Sequence, residues 1–131
     1  MRYDEWFKIH QQKHQQVLAA LEGKSIDEII DYFDYENMQF HEPNFCPLYK
    51  ENKKCHDMKE LNCYLCGCPN FRYDDEGMET EASKTLYSKC AIHSKDGKQF
   101  ITEDAIHHDC SECILPHTKE YVKKYFYKAW K

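Results

Sequence analysis

A mainly α-helical fold with irregular loops at its centre is what this sequence predicts, on three observations. Apolar side chains recur at three- and four-residue steps near both ends of the chain. Between Glu42 and Phe71 that period vanishes into a stretch rich in proline, asparagine and cysteine. Alternation of apolar and polar residues, the mark of half-buried strands, is weak throughout.

The first helix is expected over residues 3–22, where Tyr3, Phe7, His10, His14, Val17, Leu18 and Leu21 form one apolar stripe. Gly23 is a natural stop, because glycine adopts the left-handed conformation cheaply. Ser25-Ile26-Asp27-Glu28 is a capping box, whose two side chains satisfy free amides at the start of a second helix. Ile26, Ile29, Ile30 and Phe33 give that helix its apolar face, so residues 1–40 read as a helical hairpin. Short helices are expected near Thr80–Ser88 and from Thr102 to His108, with a turn at Lys95-Asp96-Gly97. After the break at Pro116, Thr118 can cap a last helix over residues 118–131. Its apolar face is Tyr121, Val122, Tyr125, Phe126, Ala129 and Trp130, expected to pack on the N-terminal hairpin. No repeat or linker divides the chain, so 1–131 is taken as one domain, with a cysteine-rich region over 42–117.

The 131 residues include nineteen aromatics (ten Tyr, seven Phe, two Trp), which compensate for a modest aliphatic content. The formal charge of −5, with lysines and arginines thinly spread, argues against nucleic acid as a partner. The N-terminus lacks the apolar run of a secretory signal, and no stretch reaches the ~20 apolar residues of a membrane span. The expectation is a cytoplasmic protein that keeps its thiols reduced.

Eight cysteines in such a protein point to metal rather than disulfides. Three of them fall within Cys63-Tyr64-Leu65-Cys66-Gly67-Cys68, followed at once by Pro69. So tight a group suits a turn that aims several thiolates at one ion about 2.3 Å away, and suits disulfide geometry poorly. Cys110-Ser111-Glu112-Cys113, with His117 four residues on, is a second knuckle. Cys63-x2-Cys66 and Cys110-x2-Cys113 can complete one four-thiolate zinc site, although the 43 residues between them exceed the usual zinc-ribbon gap of about 15–20. Cys46, Cys55, Cys68 and Cys90 remain, with His56 and His117 nearby, enough for a second ion whose ligands spacing does not assign. The loops are therefore expected to be metal-bound, by one or two zinc ions or, alternatively, by an iron–sulfur cluster. Cys66-Gly67-Cys68-Pro69 resembles the end of a bacterial ferredoxin run, but its internal spacings do not match.

Other motifs carry less. His10 and His14 sit four apart like the histidines of a zinc-protease helix, but Gln11 stands where that motif needs its glutamate, and both lie on the apolar stripe. They read as satisfied core histidines. Gly23-Lys24-Ser25 lacks the upstream glycine and the preceding strand of a phosphate-binding loop. A metal-dependent enzyme would have only His108, Asp109 and Glu112 as local acid–base candidates, so no catalytic residue is assigned.

From Cys46 to His117 the ordered pieces Cys46-Pro47-Leu48-Tyr49, Lys54-Cys55-His56, Asn62-Cys63-Tyr64-Leu65-Cys66-Gly67-Cys68-Pro69 and Asp109-Cys110-Ser111-Glu112-Cys113-Ile114-Leu115-Pro116-His117 resemble the cysteine-rich small domain, a zinc-finger-like family of metal-binding modules. The resemblance covers about half of the chain. It implies that Cys55, His56, Cys63, Cys66, Cys68, Cys110, Cys113 and His117 are the metal-associated set. Where the family carries a Cys-Gly-Gly element between the knuckles, only Cys90-Ala91-Ile92 stands in. Family members occur alone or attached to cobalamin-pathway enzymes. The resulting expectation is a structural or regulatory metal-binding protein whose partner is another protein, such as a metabolic enzyme, with a redox or electron-transfer role as the alternative.

Overall fold

The computed structural model of the chain describes residues 2–129. The side chain of Ala129 and the whole of Trp130, both assigned to the last helix face, lie outside the described residues. Among the described residues three helices precede six strands and a fourth helix follows them, in the order α1 (Tyr3–Ala20), α2 (Ile26–Tyr32), α3 (Tyr35–His41), β1 (Phe71–Tyr73), β2 (Glu79–Glu81), β3 (Lys84–Leu86), β4 (Ser88–Cys90), β5 (Lys98–Ile101), β6 (Ala105–Asp109) and α4 (Lys119–Ala129). Single 3-10 turns stand at Pro47–Tyr49 and Leu115–His117.

The helical half follows from local sequence. Ser25 accepts from the Glu28 amide at 3.2 Å while Glu28 Oε1 accepts from the Ser25 amide at 3.1 Å, the reciprocal pair that starts α2. On α1 the stripe buries His10, His14 and Val17. Ile30, Phe33, Met38, Tyr64, Leu65 and Val122 have 2% exposure or less and form the centre of the core. Phe33 meets Tyr64 edge-on at 5.0 Å between centroids, and Phe126 of α4 stacks on Tyr64 at 4.6 Å. Outside this contact, Lys119 reaches Asp31 at 2.8 Å and Asp34 at 2.9 Å, so α4 is tied to α2 by charge as well as by packing.

The other half overturns the mainly α expectation. The molecule is mixed α/β, with 37% helix and 18% strand. The segments expected to be helical near 80–88 and 102–108 are strands. Thr80 pairs with Thr85 across β2 and β3, and β-branched residues favour such pairing over helix. Ala82 and Ser83 both take positive φ (49° and 66°), the two-residue turn whose twist matches a hairpin. Ala105–Asp109 pairs with β5 from Ile101↔Ile106 to Lys98↔Asp109, and its Ile106 is buried while His107 is exposed. The order β2-β3-β6-β5 makes one sheet, antiparallel except for the β3–β6 pair. β1 and β4 form a separate ribbon with Phe71 opposite Cys90. Ser88 Oγ accepts from the His108 amide at 2.7 Å and joins the two sheets. The turn expected at Lys95-Asp96-Gly97 is present, closed by the Gly97 amide on the Ser94 carbonyl at 3.0 Å.

Candidate metal centre

The knuckle at Cys63–Cys68 is pinned to the helical core through its backbone. The Cys63 amide donates to the Phe33 carbonyl at 2.7 Å. From α1, His14 Nε2 donates to the Tyr64 carbonyl at 2.9 Å and His10 Nε2 to the Cys66 carbonyl at 3.1 Å. Burial lowers the pKa of both rings, that of His14 to about 4, which keeps them neutral. These are buried and hydrogen-bonded core histidines, and they hold the knuckle rather than a metal.

Asn62, only 1% exposed, is the second anchor. Its side-chain amide donates to the Ile30 carbonyl at 2.7 Å and to Asp34 Oδ1 at 3.0 Å, and its Oδ1 accepts from the Tyr64 amide at 2.9 Å. Its backbone amide meets the His117 carbonyl at 2.9 Å, and its carbonyl takes the Nδ1 proton of His117 at 2.8 Å. One residue thereby fixes α2, the knuckle and the second-knuckle histidine together.

That bond decides the tautomer of His117, leaving the Nε2 lone pair directed at Cys55 Sγ, 3.6 Å away. His56 is fixed the same way: its Nε2 donates to the Cys110 carbonyl at 3.1 Å, and its Nδ1 faces Cys55 Sγ at 3.0 Å. The donor atoms of Cys55, His56 and His117 all lie within 4.8 Å of one another. Burial, against the pull of the Asn62 carbonyl, lowers the His117 pKa to about 4, so the ring is in the neutral form that binds metal. Burial and the neighbouring Cys46 sulfur push the Cys55 thiol up to about 11. One S–H proton thus faces two imidazole lone pairs. Cys55, His56 and His117 would hold a divalent cation there in place of that proton, since a coordinating thiol is deprotonated. Two imidazoles whose remaining nitrogens are committed to carbonyls are what a metal site requires of its surroundings. The residues present fit a metal ion.

The other sulfurs fall into two neighbourhoods, and all eight cysteines are free thiols. Cys63 is buried in the core, with Cys46 and Cys66 packed against it. Burial first, then the nearby sulfurs of Cys55 and Cys46, push Cys63 up to about 12, while the partly buried Cys66 is raised well above the ordinary value by burial and by Cys63, Cys46 and Cys55. The buried Tyr49 hydroxyl completes no hydrogen bond of ordinary geometry, and the Cys63 sulfur, the group that acts on it most strongly, is in turn favoured as a thiolate by it. A phenol in that position is a donor awaiting a thiolate. Cys68, Cys90, Cys110 and Cys113 lie elsewhere, on the wall of a cavity of about 270 Å³ that also exposes His56 and His117.

Sequence reasoning missed Asn62 and Tyr49 as supports, since an asparagine and a tyrosine beside cysteines carry no ligand signal of their own. His108 lines the same cavity, but Asp109 accepts from the Ser111 amide at 2.8 Å and Glu112 pairs with Lys98 at 2.7 Å, both outside the Cys55–His56–His117 group. Among the described residues no helix is long and apolar enough to cross a membrane. Comparison with family models, curated proteins and solved structures finds no match to this chain.

Proposed function

We propose that this chain is a zinc protein in which a thiolate- and imidazole-bound ion organises the loops between the helices, and whose role is structural or regulatory association with another protein. The observation that carries the reading is the convergence of Cys55 Sγ, His56 Nδ1 and His117 Nε2, each imidazole being held by a carbonyl on its far nitrogen. Zinc takes mixed sulfur and nitrogen ligands in a tetrahedron, whereas iron–sulfur clusters are held mostly by four cysteines, so the two histidines favour zinc. Three donors converge here, and the thiols of Cys46 and Cys63, which act electrostatically on Cys55 or are acted on by it, are the candidates for the fourth position. With a thiolate there the shell would be filled and the ion structural rather than catalytic. The similarity of Lys54-Cys55-His56 and Cys113-x3-His117 to the cysteine-rich small domain supports the same reading, with a metabolic enzyme as the kind of partner it implies. Phe100 and Ile101, 60% and 53% exposed on the outer strand β5, support a protein partner. Eight reduced thiols suit the cytoplasm.

The test is elemental analysis of anaerobically purified chain, with His117→Ala beside it. The expected result is zinc in the wild type and one ion fewer per chain in the variant. A brown protein containing iron and sulfide, or unchanged zinc in His117→Ala, contradicts the assignment.

A further inference from the structure

Resting on the zinc reading above, we infer that Cys68, Cys90, Cys110 and Cys113 form a second, all-thiolate zinc site, separate from the one at Cys55, His56 and His117. The four sulfur-bearing residues come from three stretches of chain and line one cavity, their sulfurs standing farther apart than the donors of Cys55, His56 and His117, so that an ion would draw them together. Strand pairing brings two of those stretches together: Phe71 is the register partner of Cys90, and the Ala91 amide donates to the Asn70 carbonyl at 2.7 Å, just after Cys68. Ser94 links Cys90 to the third stretch, its amide reaching Cys90 Sγ at 3.5 Å while its hydroxyl lies 3.2 Å from Cys113 Sγ. Within the last knuckle the Cys113 amide closes a turn on the Cys110 carbonyl at 3.0 Å, which places both side chains on one turn.

The backbone between Cys66 and Cys68 explains why adjacent knuckle cysteines serve different ions. Gly67 has φ of 93° and Cys68 of 54°. A non-glycine residue in this left-handed region is strained and persists only where its surroundings impose it. The reversal sends Cys66 to the cleft shared with Cys46 and His10, and Cys68 to the cavity shared with Cys90. Mutual electrostatics divide along the same line. Cys68 is raised by burial and then by Cys90 and Cys113; Cys110 is pushed up to about 12 by burial and then by Cys68, Cys113 and Cys90. The backbone amides of Asn70 and Phe71 oppose this at Cys68 and would stabilise its thiolate. Binding exchanges four S–H protons for one divalent ion, with no change of oxidation state. The ion would join β1, β4 and the end of β6. This partition differs from the pairing of Cys63/Cys66 with Cys110/Cys113 that spacing suggests.

The experiment is cobalt(II) titration of metal-free full-length chain under reducing conditions, followed by thiolate-to-cobalt charge-transfer absorption, with Cys90→Ser and His117→Ala in parallel. The expected wild-type endpoint is two ions per chain, falling to one in each variant. The ion left in His117→Ala should carry the spectrum of four sulfur ligands. Should Cys90→Ser not fold, the wild-type endpoint decides alone: a break at one equivalent overturns the second site. A single wild-type ion lost in His117→Ala overturns this inference and leaves the first site standing. Two ions retained in Cys90→Ser also overturn it, and no ion bound at all removes both readings.

Discussion

Around α1, α2, α3 and α4, the core encloses Ile30, Phe33, Met38, Tyr64, Leu65 and Val122 almost completely. Between residues 71 and 109, by contrast, Leu86 and Ile106 are the buried aliphatic side chains among the described residues, and β5 is exposed along its whole length. Burying one large apolar side chain contributes about 1.5–3 kcal/mol, while fixing one residue's backbone costs about 1–2 kcal/mol. Two such side chains do not offset the ordering of two sheets, so the sheet half needs another source of stability. The cysteines are placed to supply it: Cys68 stands shortly before β1, Cys90 ends β4 and Cys110 follows β6. A small β region with little core, which the proposed second ion would cross-link, stands against a helical region with an aromatic core of its own.

The largest expected effect breaks this comparison directly. Stripping the metal with a strong chelator should abolish amide hydrogen-exchange protection over residues 71–109 and leave measurable protection in α1 and α4. Equal loss in both halves would mean that the helical core also needs the ion. Next comes Phe33→Ala, which removes the ring that touches His14, Phe45 and Tyr64. It should cost about 3–5 kcal/mol in denaturant unfolding of the zinc-loaded protein. A loss below about 1 kcal/mol would deny the helical half its independent core.

The third effect is one of pH. His14 has a pKa of about 4 when folded against an ordinary 6.5, so below 6.5 the unfolded chain binds the proton more readily. The stability tied to neutral His14 is therefore complete above about pH 6.5 and declines as pH falls toward 4, by up to about 3 kcal/mol. His14→Gln, which keeps a donor for the Tyr64 carbonyl, should flatten the difference between unfolding at pH 7 and pH 5. An identical slope in the variant would refute the assignment. The smallest effect is Ser25→Ala, which removes one side of the capping box and should cost about 1 kcal/mol without altering metal content.

What the sequence reveals divides along the same boundary. The start of α2 was legible because Ser25 and Glu28 interact over three residues, and the burial of His10 and His14 because their spacing follows a helix. The strands were not: Lys84-Thr85-Leu86 and Ala105–Asp109 are short, and the parallel pairing between them joins stretches some twenty residues apart. Ala82-Ser83 makes a tight turn without the glycine or asparagine that usually signals one. At the candidate centre, Cys55-His56 and His117 were legible as residue types near knuckles. The bond from Asn62 that orients His117 joins positions 55 apart and leaves no local trace.

The most direct test is native mass spectrometry of the intact chain, isolated without oxygen and without added metal. The account predicts the mass of the fully reduced polypeptide plus two zinc ions, each having displaced protons. A mass lower than the reduced chain by two hydrogens for each S–S bridge, with no metal attached, would contradict it.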